Sequence, residues 1–181
     1  FEVNVGRKWI TLWPLALLLL APAAESASST EDAGDVLFVL LPVAGFATAL
    51  IKQDREGQIQ FAKAFAANAV VTLGLKTAID KQRPNGDCCD SFPSGHTSFA
   101  FMGATFIERR YGRKYGVPAY AAATFVAYSR VDSDKHYVED VVAGAAIGYL
   151  SSYFFTSRYP NVSITPVAQR DFAGVTFNMQ W

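Results

Sequence analysis

Five long apolar stretches, separated by short connectors, set the pattern of the chain beyond residue 35. The connectors contain charged residues, glycine and proline, and they read KQDREGQ, KQRPNGDCCDSFPSG, ERRYGRKYG and SRVDSDKHYVED. Apolar stretches of this length are typical of helices rather than strands. The pattern predicts an all-α fold, a helical bundle of five core helices around one core. The predicted helices cover Val36–Ile51, Phe61–Ile79, Thr97–Ile107, Val117–Tyr128 and Val141–Phe155.

The last residues of the chain follow a different pattern. After Pro160 the sequence VSITPVAQRDFAGVTFNMQW alternates apolar and polar residues around the polar stretch Gln169–Asp171. This alternation predicts a short C-terminal β-hairpin in residues 159–181. The aromatic last residue also resembles the final strand of an outer-membrane barrel, but one hairpin cannot close a barrel. We therefore expect a small ribbon that packs on the helices or lies at an edge.

Residues 1–27 resemble an export signal. Arg7 and Lys8 precede an apolar run at residues 10–21, which ends in the small-residue sequence APA. The run is shorter than the ~20 residues that a membrane span needs. A cleaved signal peptide is therefore favoured over an uncleaved N-terminal hydrophobic helix, and the polar stretch Glu25–Asp35 would become a flexible N-terminus. Either interpretation places the protein in the cell envelope.

Composition and charge restrict the partners and the location that are expected for the remaining domain, residues 28–158. Lysine plus arginine and aspartate plus glutamate number 16 each, and this zero net charge argues against a nucleic-acid partner. The single apolar stretches are short for membrane spans. If the N-terminal segment is retained, however, the basic connectors fall on one side, as the positive-inside rule requires. We expect an exported, membrane-associated periplasmic domain, favoured over an integral membrane protein, with its site facing the periplasm.

A first basic motif, KTAIDKQRP, lies at the end of the second predicted helix. Lys76 can extend from an apolar face to present a point charge. Arg83 adds a planar guanidinium that matches two phosphate oxygens at once. Pro84 is expected to end the helix. Taken alone, the motif is more typical of a basic helix end that interacts with the helix dipole.

A second motif, FPSGHTSFAF, begins the third predicted helix. Ser94 is a good N-cap, and Gly95 allows the backbone to approach a ligand closely. The free N–H groups of a helix N-terminus bind anions. His96 would lie beside such an anion and could pass a proton to a leaving oxygen. The alternative is a capped helix with a hydrogen-bonded core histidine.

The third motif, SRVDSDKHYVED, combines a cation, a histidine and carboxylates. Arg130 offers a second guanidinium for an oxyanion. His136 and Asp140 are four residues apart, which would place them on one face of a helix that starts here. A carboxylate in that position can accept the Nδ1 proton and leave Nε2 free to attack. Glu139 is a weaker candidate for the same role, and an ordinary surface ion pair is the alternative.

Together the three motifs contain both histidines of the chain, three cations, a helix N-terminus and a carboxylate. A metal site would need clustered ligands without so many cations nearby. The set predicts a metal-free site for a tetrahedral oxyanion. It also resembles the three-part signature of the type 2 phosphatidic acid phosphatase (PAP2) family, which includes bacterial acid phosphatases and vanadium haloperoxidases. The matching positions are Lys76-x6-Arg83-Pro84, Pro93-Ser94-Gly95-His96 and Ser129-Arg130-x5-His136-x3-Asp140.

This resemblance implies a role for each site residue. His136 would be the nucleophile that forms a phosphohistidine, Asp140 would orient it, and His96 would be the general acid. The substrate phosphate would be bound by Lys76, Arg83, Ser94, Gly95 and Arg130. These groups would stabilise the charge of the transition state.

The function that follows is a metal-independent phosphatase without a cofactor. Its expected substrate is a phosphomonoester or pyrophosphate, with a lipid phosphate favoured by the many apolar and aromatic residues. Alternatives are a non-specific periplasmic acid phosphatase for small soluble esters, a vanadate-dependent haloperoxidase, and a non-catalytic envelope protein that binds lipid phosphate. The chain is small for a haloperoxidase, and an intact pair of histidines argues against pure binding. A membrane surface is an expected partner.

Two adjacent cysteines, Cys88 and Cys89, lie between the first two motifs. A disulfide between neighbours is strained, so two thiols or a bond to another chain are favoured. An oxidising compartment would favour oxidation. No catalytic role is assigned to either residue.

Overall fold

The structure is a computed structural model that describes residues 28–169 and 172–180, with side chains for residues 29–160. The segment 1–27, interpreted above as a signal peptide or hydrophobic helix, lies outside the described residues. The elements are helices α1 (Ser28–Ile51), α2 (Arg55–Ala78), α3 (Gly95–Tyr111), α4 (Arg113–Asp132) and α5 (Val138–Phe155), followed by strands β1 (Asn161–Gln169) and β2 (Phe172–Gln180). The prediction of an all-helical domain with five helices is confirmed.

Helix α1 begins earlier than the apolar pattern indicated. Residues 28–35, expected to be part of a flexible N-terminus, form its first two turns, so that expectation was wrong. Glu31 stands in the first turn, where a carboxylate interacts favourably with the helix dipole. Gly34 is buried against α4, where a Cβ atom would overlap Ser129. The polar start of α1 is therefore held by packing on α4 rather than by an apolar face.

Local sequence explains where the other helices begin and end. Asp54 caps α2 by accepting a hydrogen bond from the backbone N–H of Gly57 at 2.9 Å. Helix α2 ends at Ala78 with Ile79 as its C-cap, so Pro84 is not what ends it. Between α3 and α4, Gly112 adopts φ 94°, which favours glycine and permits the short connection.

Helix α3 lies at the centre of the bundle and packs against all four other helices. Its contacts with α5 are close because two glycines of α5, Gly144 and Gly148, face the backbone of α3. Two clusters of buried apolar residues form the core. One contains Leu41, Ala100, Ala104, Ala119, Ala123 and Val126, and the other contains Ala49, Phe61, Ala64, Met102 and Phe106.

A buried ion pair joins three elements at the end of the bundle where α3 and α5 finish. Arg110 contacts both carboxylate oxygens of Asp54, at 2.5 and 2.7 Å, and the two side chains are 2% and 3% exposed. The Arg110 guanidinium also donates to the backbone carbonyl of Ser157, just after α5. The hydrogen bonds from Arg110 outweigh burial and hold the pKa of Asp54 below its usual range.

The strands β1 and β2 form one antiparallel pair whose register runs from Asn161↔Gln180 to Gln169↔Phe172. They occupy the segment in which the alternating pattern predicted a hairpin. The place of this hairpin on the helices stays a prediction.

Large apolar side chains also cover much of the outside of the bundle. Exposed examples on four helices are Val36, Val43 and Ile51, Val70 and Leu73, Val117, and Val142, Leu150 and Phe154. Among the described residues, α1 is the one helix long and apolar enough to cross a membrane, over Ser29–Ile51. That test considers length and composition alone. The exposed apolar surface is larger than a water-soluble monomer usually presents.

Candidate active site

The predicted site residues meet at the end of the bundle opposite the Asp54–Arg110 pair. The connector between α2 and α3, the first turns of α3 and α5, and the last turn of α4 converge there. Burial lowers the pKa of both His96 and His136, and the positive charges of Lys76 and Arg83 lower both further. Seven of the eight candidate residues lie on these segments or in the last turn of α2, and His136 lies in the connector between α4 and α5.

His136 lies in the connector before α5, and its side chain is 3% exposed. Its Nδ1 atom is 2.7 Å from the backbone carbonyl oxygen of Ser91. Since a carbonyl can only accept, Nδ1 carries the proton and Nε2 retains a free lone pair. Burial and then the charge of Lys76 lower the pKa of His136 to about 4. The ring is therefore neutral near pH 7, as a nucleophile requires.

Asp140 contacts His136 less directly than the four-residue spacing suggested. His136 precedes the helix, and Asp140 Oδ2 is 3.9 Å from its Nδ1. The fully buried Asp140 accepts hydrogen bonds from the Ser91 hydroxyl at 2.5 Å, from the backbone N–H of Tyr137 at 3.0 Å and from Lys81 at 2.6 Å. Burial would raise the pKa of Asp140, but these donors outweigh it and lower the pKa. Asp140 fixes Ser91, whose carbonyl fixes the imidazole.

Lys76 and Arg83 both contact the carboxylate of Asp90. The Nε and Nη2 atoms of Arg83 donate to Asp90 Oδ1 and Oδ2 at 2.9 and 3.1 Å, a bidentate pair. Lys76 donates to the backbone carbonyl of Asp90, and its Nζ is 3.8 Å from Oδ2. Burial lowers the pKa of Lys76. Two predicted phosphate-binding cations thus converge on one anionic group.

The N-terminus of α3 has the structure that its sequence predicted. Ser94 is the buried N-cap and accepts from the backbone N–H of Thr97 at 3.5 Å. Its own N–H donates to the backbone carbonyl of Asp140 at 3.0 Å, which joins α3 to α5. Gly95 is the first helical residue, and a Cβ atom there would lie 3.7 Å from Lys76 Cε. Gly95 therefore faces Lys76 across the site.

His96 and Arg130 meet at a third carboxylate, Asp35 of α1. Asp35 Oδ1 is 3.2 Å from His96 Nε2 and 2.8 Å from Arg130 Nη1. The His96 side chain is 36% exposed, and its ring centroid is 4.2 Å from that of Phe38. Arg130 is almost completely buried. The site therefore opens to its surroundings on the side of His96.

Four functional neighbours were missed by the sequence analysis: Lys81, Asp90, Ser91 and Asp35. Lys81 and Asp90 are charged residues of the connector that holds the first motif, and their charge could have identified them from the sequence. Ser91 orients His136 through its backbone carbonyl, which no side-chain pattern reveals. Asp35 was assigned to a flexible N-terminus. The side chains of the adjacent Cys88 and Cys89 contact each other, and the expectation of two thiols or a bond to another chain stays a prediction.

Comparison with known proteins finds a matching family and lipid A phosphatases that are similar to this chain. The model of the PAP2 superfamily matches residues 58–163, more than half of the chain. Lipid A 4'-phosphatase of Helicobacter pylori is 33% identical over 178 residues, which cover 88% of this chain and 89% of that protein. Lipid A 1-phosphatase of Porphyromonas gingivalis is 40% identical over 78 residues, 41% of this chain and 18% of that protein.

A solved structure shares the fold. The crystal structure of Aquifex aeolicus LpxE superposes with a TM-score of 0.56 at 24% identity, covering 66% of this chain and 83% of that chain. The expectation of an enzyme that hydrolyses phosphoric esters is confirmed by the family and the relatives. The matched segment contains all three motifs and the helices that bring them together. The chain belongs to the PAP2 superfamily.

Proposed function

We propose that this protein removes a phosphate group from a phosphorylated lipid through a phosphohistidine formed on His136. One observation carries the mechanism: Nδ1 of the buried ring donates to the Ser91 carbonyl, which leaves Nε2 as the free nucleophile. The lowered pKa of His136 keeps that nitrogen unprotonated at neutral pH. The surrounding cations match the charge of a phosphate monoester.

In the first step the lone pair of His136 Nε2 attacks phosphorus, and the bond between phosphorus and the leaving oxygen breaks. The bonding electrons go to that oxygen, which takes a proton from His96. In the second step water attacks the phosphohistidine and gives a proton to His96. The phosphorus–nitrogen bond then breaks, and its electrons return to Nε2. Both histidines end in their starting protonation states.

Three cations would stabilise the phosphoryl oxygens during these steps. Lys76 and Arg83 now contact Asp90, and Arg130 now contacts Asp35. A dianionic phosphate would compete with these carboxylates for the same donors. The first N–H groups of α3, after Ser94, would add backbone donors at the positive end of the helix dipole. None of these contributions requires a metal, which agrees with the expected metal independence.

An apolar cavity beside the site supports a lipid substrate. It has a volume of about 470 Å³, and aromatic rings of α1, α2 and α3 dominate its lining, including Phe38, Phe46, Phe61, Phe65 and Phe99. Phe38 also contacts the His96 ring. A phosphate held near His96 would therefore have an apolar space next to it that accepts an acyl chain. The names of the two relatives point to a lipid A phosphate as the candidate substrate.

The exposed apolar side chains of the bundle favour direct contact with membrane lipid. We infer that the protein remains with the membrane and takes its substrate there. Orientation towards the periplasm stays a prediction. Retention in the membrane fraction through carbonate washing supports this inference, whereas release by osmotic shock would contradict it.

Trapping of the intermediate tests the mechanism. Wild-type protein mixed with ³²P-labelled substrate and quenched in base should yield labelled protein, because phosphohistidine is stable in base. His136→Ala should yield none, and His96→Ala should retain the label at a slower rate of formation. EDTA should leave turnover unchanged. Label that persists in His136→Ala, or activity lost to EDTA and restored by metal, would refute the mechanism.

Filling the apolar cavity tests the substrate class. Ala47 lines the cavity, so Ala47→Trp should lower turnover of a long-chain lipid phosphate and leave that of p-nitrophenyl phosphate unchanged. Val70→Trp is the matched control, because Val70 is 72% exposed on α2. Equal losses for both substrates, or equal effects of both variants, would argue for small soluble esters instead.

A further inference from the structure

Asp35 is an acidic residue of the site that belongs to none of the three motifs. It lies in α1, and one of its carboxylate oxygens, Oδ1, contacts two functional groups at once. Arg130 Nη1 is 2.8 Å from this oxygen and His96 Nε2 is 3.2 Å from it. A single oxygen therefore links the proposed proton donor to a proposed phosphate-binding cation.

The environment of this oxygen favours a charged histidine. Asp35 Oδ1 is buried, although the side chain as a whole is 45% exposed. Among the described residues it accepts no aligned hydrogen bond, so its contacts with Arg130 and His96 are ion-pair contacts. A buried carboxylate oxygen without an aligned donor is costly. A positive charge on His96, whose Nε2 is 3.2 Å from this oxygen, would offset part of that cost.

Asp35 also completes the support of Arg130. The other contacts of the guanidinium run from Nη2 to the Glu31 carbonyl at 2.9 Å and from Nε to the Ser129 hydroxyl at 3.2 Å. With Asp35 at Nη1, all three guanidinium nitrogens have partners, two of them on α1. Arg130 is thereby fixed between α1 and α4.

The packing of α1 on α4 permits these contacts. Gly34 directly precedes Asp35, and a Cβ atom at position 34 would overlap Ser129 Oγ and lie 3.0 Å from Arg130 Nη2. A larger residue would push α1 away from α4 and withdraw the Asp35 carboxylate. The close approach of α1 to α4 is therefore what places the Asp35 carboxylate beside Arg130.

We propose that Asp35 is a positioning residue, which favours the protonated form of His96 and fixes Arg130 for phosphate binding. This inference rests on the proposed function. His96 otherwise faces cations: Arg130 of α4, Arg83 of the α2–α3 connector and Lys76 of α2. Burial and these charges lower the pKa of His96, and Asp35 is the group that opposes them. The negative charge of Asp35, 3.2 Å from Nε2, favours the imidazolium that donates a proton to the leaving oxygen.

Asp35→Asn tests the inference with Asp32→Asn as its control. Asp32 is an exposed acid of the same helix, so both variants remove one negative charge from α1. The chain has two histidines, and the NMR signals of their rings can be assigned with a His136→Asn variant. We expect the pKa of His96 to fall by about one pH unit or more in Asp35→Asn and to stay unchanged in Asp32→Asn. Asp35→Glu should restore part of the wild-type value.

Turnover gives a second readout. In Asp35→Asn, kcat should fall and the basic limb of its pH profile should move to lower pH, because the acid form of His96 is lost earlier. An unshifted limb, or the same shift in Asp32→Asn, would overturn the inference.

The ring titration requires no turnover, so it separates two failures. If the wild-type enzyme is active and the pKa of His96 is the same with and without the Asp35 carboxylate, this inference alone is refuted. If the wild-type protein is inactive, the proposed function is refuted. If Asp35→Asn does not fold, Asp35→Ser takes its place, because it also removes the negative charge. The pKa of His96 should fall in that variant as well, and an unchanged pKa would overturn the inference.

Discussion

Gly144 connects the packing of the bundle to the geometry of the site. It lies one turn after Asp140 in α5, and a Cβ atom at this position would be 2.5 Å from the backbone carbonyl oxygen of Ser94. Carbon and carbonyl oxygen atoms normally approach to about 3.3 Å. Gly144→Ala therefore requires α3 and α5 to separate by roughly 0.8 Å, because a backbone oxygen cannot rotate away as a flexible side chain does.

The separation has two expected consequences. Overpacking of a core contact destabilises by about 1–3 kcal/mol, so the free energy of unfolding should fall by that amount. The hydrogen bond from the Ser94 N–H to the Asp140 carbonyl, now 3.0 Å, should weaken at the same time. In the proposed mechanism Asp140 orients the nucleophile and Ser94 binds the phosphate, so a displacement of this size should lower kcat by about 10- to 100-fold.

Gly74→Ala is the matched control, since Gly74 lies inside α2 with no neighbour within 4 Å of a Cβ atom. Alanine there should stabilise the helix by about 0.5–1 kcal/mol and leave turnover unchanged. Denaturant unfolding and hydrolysis of p-nitrophenyl phosphate, measured on the same samples, check both variants. If Gly144→Ala had the same stability and the same kcat as the wild-type protein, the close helix contact on which this reasoning depends would be refuted.

Three further predictions concern charged groups. Because the pKa of His136 is lowered to about 4, the proposed nucleophile is neutral above that pH, and the acid limb of kcat/KM should appear only below about pH 5. An acid limb centred near pH 6.5 would contradict the buried environment. Asp90→Asn should tighten inhibition by inorganic phosphate several-fold, since it frees Lys76 and Arg83 from a competing carboxylate; weaker inhibition would mean that Asp90 organises the cations instead. Asp54→Asn should lower the free energy of unfolding by about 3–5 kcal/mol, because it leaves the buried Arg110 charge unpaired. The kcat of the folded fraction should stay unchanged. A loss below about 1 kcal/mol in chemical denaturation would contradict a buried pair.

The spacing of the motifs predicted the composition of the site but not all of its contacts. The sequence placed Ser94 at a helix start and Lys76 at a helix end, and the structure does the same. The four-residue spacing predicted a direct hydrogen bond from His136 to Asp140, whereas the nearer partner of His136 is the carbonyl of Ser91. Backbone carbonyls occur at every residue, so a pattern of side chains cannot identify the one that a ring will meet.

Local patterns by themselves determined the five helices, the Ser94 cap of α3 and the residue types of a phosphate site, because helix periodicity and capping act within a few residues. The tertiary structure alone decided which groups approach each other across the bundle. Gly34 brings Asp35 of α1 to Arg130 and His96, which come from helices distant in sequence. Such contacts depend on how closely two helices pack, and that distance is set by small residues on both surfaces rather than by either sequence segment alone.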